Sequence, residues 1–176
     1  MMATDDKVAF YLRHRTLIEE WAALREQAAA ELEEAFSRAV GIIGQRPNTP
    51  EIIEFDSDRH FPMYGISLQI PGAESGAVWV ALGWTRGRLL RPAGESWPYV
   101  GVKMPGATRG QAGYDAVKRL LRDAASKLGW TATGGWVWFT YIQFEPGETD
   151  LDDYAVRHVE ELVDAWKVLQ LEISGS

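Results

Sequence analysis

The chain has 176 residues, 46% of them apolar, and a formal net charge of −7, which is enough for one domain with its own core. It contains no cysteine, so disulfides, thiolate metal sites and thiol catalysis are excluded. No apolar run reaches the roughly 18 residues of a membrane span. The start also lacks the basic and apolar blocks of a secretory signal, so a cytoplasmic protein without membrane contact is expected.

A first helix is expected from about Asp5 to Val40. Phe10, Leu17, Trp21, Leu24, Ala28 and Ala35 recur at three- and four-residue steps, and Leu32, Phe36 and Val40 extend the stripe as it drifts. Some 35 residues would span about 50 Å, so either a kink near His14 or a projecting arm that pairs with another copy is expected. Gly41, Gly44, Pro47 and Pro50 stop the helix. Strands are then expected over Glu51–Asp56, Met63–Ile70, Val78–Trp84, Arg88–Arg91 and Tyr99–Met104, joined by short turns as an antiparallel meander. Tyr114, Val117, Leu121, Ala124 and Leu128 mark a second helix that Gly129 caps. A strand over Trp136–Ile142 follows. Thr149-Asp150-Leu151-Asp152 reads as a capping box, opening a last helix to Ile173 with an apolar line from Leu151 through Trp166. The fold class is α+β, one domain over 1–176 with 1–44 as a candidate helical arm, and helices packed on one sheet face.

Charge is unevenly spread. Eight acids and one base between Glu145 and Asp164 give −7, while nine bases and three acids between Arg86 and Lys127 give +6. Overall acidity disfavours nucleic acid as a partner and suits a basic protein partner. Alternating tryptophans such as Trp136 and Trp138 share a face in a regular strand. Trp79, Trp84, Trp136 and Trp138, with Asp152 and Asp153, are therefore the candidate partner-binding residues, set against the plainer alternative that the tryptophans fill the core.

Three small constellations carry candidate chemistry. Lys103, Thr108, Arg109 and Gly110 lie where a strand runs into a helix start, and backbone amides there suit an anion. The segment contains neither a Walker A loop nor Gly-x-Gly-x-x-Gly. Asp56, Asp58 and His60 alternate along one segment as an oxygen-oxygen-nitrogen set for a divalent metal, though Asp and Ser there also form turns. His14 and His158 read as surface or core residues. No serine sits in a nucleophile elbow, so no catalytic residue is assigned and no cofactor is expected.

The order helix, strands, helix, strand resembles the core of the PD-(D/E)XK nuclease superfamily. That resemblance implies metal-dependent phosphodiester cleavage by an acid on one strand and an acid-x-Lys on the next. The matching strand here reads Gly101-Val102-Lys103, with glycine where the family has its acid, and Val78–Trp84 has no acid. The opening Phe10-Tyr11-Leu12-Arg13-His14-Arg15 with Ile18-Glu19-Glu20-Trp21-Ala22-Ala23-Leu24-Arg25 resembles small uncharacterised proteins of high-GC bacteria and their phages. That likeness implies a mobile-element or defence setting.

The expected function is a non-enzymatic protein-binding, inhibitory or immunity-type factor, with a homodimer through the first helix. A phosphate- or nucleotide-binding sensor or enzyme built on 103–113, and a divergent or inactive nuclease, are the alternatives.

Overall fold

The computed structural model describes residues 6–57, 63–71, 78–86, 89, 98–107, 109–132, 136–143 and 150–175. Helix α1 (Asp6–Gly44) leads into strands β1 (Ile53–Ser57), β2 (Met63–Ile70), β3 (Val78–Thr85) and β4 (Tyr99–Lys103). Helices α2 (Ala112–Leu120) and α3 (Arg122–Lys127), strand β5 (Trp138–Tyr141) and helix α4 (Leu151–Ser174) complete the described order. The strand expected at 88–91, Trp97, and the turn before α4 fall largely or wholly outside the described residues.

The five strands form one antiparallel sheet in the order β1-β2-β3-β4-β5. Pairing of Ile66 with Leu82, and of Leu82 with Val100, places the even-numbered residues of β2, β3 and β4 on one face. Ile66, Leu68, Val80, Leu82, Trp84 and Val102 are buried there under the helices. The final third of α1 supplies Leu32, Ala35, Phe36, Ala39 and Ile43, and α4 supplies Tyr154, Val159, Leu162 and Leu169. Each such Leu, Val or Phe contributes about 1.5–3 kcal/mol by leaving water.

Local signals set the helix ends. Asp150, one residue past the expected cap, accepts from the amides of Asp152 and Asp153 at 3.0 Å each, satisfying two orphan donors of α4. Gly129 has φ +72°, with its N–H on Ser126 O and the Trp130 N–H on Ala125 O, a Schellman ending. The expected second helix divides into α2 and α3 at Leu121, which leaves helical geometry (φ −86°, ψ 4°) while remaining fully buried.

The first part of α1 leaves the body. His14 has φ −115° and ψ 18°, the kink anticipated from length. Val8, Phe10, Leu12, Leu17, Trp21 and Leu24 are exposed, Trp21 at 62%. The apolar stripe is therefore continuous in sequence but covered only from Leu32 onward. No helix among the described residues is long and apolar enough to cross a membrane.

A charged clamp fixes α1 to the sheet edge. The Arg86 guanidinium donates to Glu33 through Nε (2.9 Å) and Nη2 (2.9 Å), and to Asp56 through Nη1 (2.7 Å) and Nη2 (3.0 Å). Beside it, Ser37 and Tyr64 hydroxyls both donate to Glu54 at 2.6 Å. One arginine thus ties α1, β1 and β3 with bidentate geometry.

Candidate functional site

The sheet face away from the helices carries a built site. The registers align Ile53, Ser67, Ala81, Gly101 and Phe139 across the five strands. The next row reads Phe55, Gly65, Gly83, Tyr99 and Tyr141, and on the other side Trp79 faces Lys103. A row of small residues at Ser67, Ala81 and Gly101 therefore lies between larger side chains. Over it is a cavity of about 300 Å³ lined by Ile53, Phe55, Ser67, Trp79, Ala81, Lys103 and Pro105.

Glycines let the aromatic rings settle onto the sheet. A Cβ on Gly65 would stand 2.4 Å from the tip of the Phe55 ring, and one on Gly83 3.4 Å from it. Phe55 therefore rests over a two-glycine floor. At the far end, Tyr99 meets Trp136 edge-on at 4.9 Å, and Phe139 meets Tyr141 edge-on at 5.3 Å, an arrangement that aromatic quadrupoles favour.

Lys103 joins the two groups. Its ammonium lies 4.7 Å from the Trp136 ring centroid and 5.4 Å from that of Phe55. Among the described residues no carboxylate lies within ion-pair distance of it. Burial holds its pKa below the ordinary lysine value, because desolvation penalises the charged form. The ring faces offset part of that cost.

Several sequence expectations change here. Trp84 is 1% exposed and packed against Phe36 and Tyr64, with its indole N–H on Glu33 at 3.3 Å, so it is a core residue and not a partner anchor. Trp136 and Trp138 do not share a face. The Val137 N–H donates to Val102 O, the residue paired with Trp138, so two incoming residues meet one of β4. This bulge-type step breaks the alternation. Trp136 reaches Lys103, whereas Trp138 turns to the helix side and donates to Lys118 O at 3.2 Å. Trp79 keeps its place on the open face, half-buried.

The expected anion set is described only in part. Lys103 points into the aromatic rows, while Arg109 and Gly110 are exposed ahead of α2, Gly110 with φ +91°, and Thr108 lies outside the described residues. Asp152 is engaged by Arg38 at 2.7 Å, and Asp153 is exposed in the first turn of α4. Of the metal set, Asp56 is held by Arg86, and Asp58 and His60 lie outside the described residues. Among the described residues no three His, Asp or Glu side chains are grouped to hold a metal.

A second cleft of about 620 Å³ runs between β5 and α4. There His158 is buried beneath the Tyr154 ring, edge to face at 4.4 Å, and its Nδ1 contacts Glu161 at 2.6 Å. His158 is thus a core residue engaged through Nδ1.

Sequence reading missed Ile53, Phe55, Ser67 and Pro105 as companions of Lys103. The alternation Ile53-Glu54-Phe55 was a usable signal, but the partner strands that give it meaning are set by long-range register.

The aromatic face also has a pH signature. Burial, followed by the neighbouring phenol of Tyr141, pushes Tyr99 up to about 12. The folded chain then keeps a proton that the unfolded chain releases above about pH 10, so stability falls as pH rises from about 10 to 12. The expected loss is about 2 kcal/mol from Tyr99, allowing for residual solvent, with Tyr64 adding in the same direction. Lys103 acts oppositely, raising stability as pH approaches the ordinary lysine value. Alkaline titration followed by phenolate absorbance and circular dichroism should show a shallower loss in Tyr99→Phe. An unchanged profile would remove Tyr99 from this role.

In comparisons with known proteins, no family model, no curated protein and no solved structure matches this chain.

Proposed function

We propose that the chain is a non-enzymatic binding protein that works as a pair, its arm lying antiparallel against the arm of a second copy. One observation carries this reading: the exposed part of α1 has a self-complementary face. Phe10, Leu17 and Leu24 repeat every seven residues, and so do His14, Trp21 and Ala28, which is the spacing of a helix-pairing seam. All three large aliphatic or aromatic residues of the first set are exposed, as is Trp21.

Charge selects the orientation. Residues 6–15 carry Lys7, Arg13 and Arg15 against Asp6, and residues 19–26 carry Glu19, Glu20 and Glu26 against Arg25. An antiparallel pair sets each basic half against an acidic half, whereas a parallel pair opposes like charges. The arm bends at His14, so its two straight runs, 6–13 and 15–28, would span about 12 Å and about 20 Å, the longer one carrying Leu17, Trp21, Leu24 and Ala28.

The inhibitory or immunity-type role belongs to this binding class. The nuclease alternative lacks its acid at Gly101, and for the 103–113 sensor Arg109 is not among the residues that line the cavity at Lys103.

Sedimentation over a range of concentrations tests the pairing. Leu17→Lys with Trp21→Glu should weaken self-association by roughly 100-fold and leave the melting of the body nearly unchanged, because both residues are exposed and outside the core. Reversing Glu19 and Glu20 to Lys should also weaken it, and reversing Arg13 and Arg15 to Glu in the same chain should restore it. A wild-type monomer at high concentration, or a dimer indifferent to these changes, would refute the reading.

A further inference from the structure

We propose that the trench over Ser67 and Ala81 binds a small aromatic carboxylate, its flat body between Phe55 and Trp79 and its carboxylate on the Lys103 ammonium. This goes beyond self-pairing and rests on a different surface.

The chemistry of the ligand follows from what the trench lacks. Four of its walls are apolar (Ile53, Phe55, Trp79 and Pro105), its floor is the small Ala81, and Lys103 forms part of its lining. Ser67 contributes a hydroxyl that donates weakly to Ile53 O at 3.4 Å. The cation has two ring faces and no carboxylate among the described residues. A half-buried charge without a counter-ion carries a desolvation cost, and methionine of similar length would cover the same rings at no such cost. A chain that keeps lysine here departs from local stability, as functional sites do.

The number of charges narrows the ligand further. One amine balances one negative charge. A phosphate carries nearly two and needs several donors, and neither Arg109 nor the α2 start reaches the trench lining. A carboxylate matches the single donor. About 300 Å³ is the lower end of ligand-sized cavities, which favours a one- or two-ring body. Aromatic stacking and apolar burial would supply affinity, while the desolvated ammonium would select the acid over its neutral analogue.

Indole-3-acetate, indole-3-ethanol and inorganic phosphate serve as probes, followed by calorimetry and by NMR of the lysine side chains. Indole-3-acetate should bind and shift the Lys103 signals. Its alcohol analogue should bind at least about tenfold more weakly, and phosphate should not compete. Lys103→Met should reduce affinity for the acid at least about tenfold, leave the alcohol unchanged and raise the melting temperature. Lys103→Arg should retain most of the binding. Ala81→Leu fills the trench with the lysine in place and should abolish binding of both indoles. The paired-arm variant should bind the acid as wild type does, which separates this proposal from self-pairing. No binding of the acid at about 10 mM, equal affinity in Lys103→Met, or competition by phosphate would each overturn it.

Discussion

Gly101→Ala is expected to destabilise the protein by about 3 kcal/mol, the largest effect of any single methyl addition to the open sheet face. A Cβ at Gly101 would stand 2.2 Å from Trp138 O and 2.8 Å from Phe139 Cα. These are backbone atoms of β5, so no side-chain rotation relieves the clash. Relief requires β5 to move away, which breaks its pairing with β4 and uncovers Val137 and Val102, both fully buried. In urea the midpoint should fall by roughly 1–2 M.

Two neighbouring glycines make the measurement discriminating. At Gly65 the added methyl would lie 2.5 Å from Leu82 O and against the Phe55 ring, and at Gly83 its nearest contact is Tyr64 O at 2.9 Å. The expected order of destabilisation is Gly101, then Gly65, then Gly83. A neutral Gly101→Ala would mean that β5 is free to slide, and the aromatic row beyond it would lose its support. The same geometry bears on the nuclease resemblance. The position where that family has an acid has no room for any side chain, so Gly101→Asp should unfold the sheet edge and create no metal site.

Arg86→Met is the second large effect, with an expected loss of about 2–3 kcal/mol. Arg86 is 32% exposed and Glu33 20%, so the pair is partly screened and sits below the cost of breaking a fully buried one. Removing the guanidinium leaves Glu33 and Asp56 facing each other across α1 and β1 without a shared cation. It also removes the link that holds α1 where the arm departs. Most of the destabilisation should therefore reflect stranded carboxylates, and Glu33→Gln in the Arg86→Met background should recover part of it. Thermal melts of the two single variants and the double variant measure that coupling. Strict additivity would show that Arg86 acts by packing alone.

Local pattern made much of the architecture legible. Helical periodicity marked α1 and α4 because their apolar lines are long. Gly129 marked the end of α3 because only glycine takes its left-handed backbone cheaply. The run Val78–Trp84, bounded by turn residues on both sides, marked β3 as a strand. A kink near His14 was one of the two outcomes expected from the length of the first helix, and the backbone there is non-helical.

Other features needed the folded chain. Trp84 and Trp79 both lie on β3 at odd separation, and nothing in their identity says which is sealed under α1. Trp136 and Trp138 had the spacing of face-mates, yet the step at Val137 sends them to opposite sides. Lys103 looked like part of a basic loop with Arg109, but strand register turned it toward Phe55, nearly fifty residues earlier in the chain.

The sequence by itself determined the elements, their order and the unusual length of the first helix, because these follow from periodicity and turn chemistry within short windows. Only the tertiary structure decided which third of that helix is buried, which tryptophans are sealed, and which cation sits in an apolar trench. Those outcomes depend on strand register and on backbone approach at three glycines. Contacts between residues distant in the chain set both, and no local window contains them.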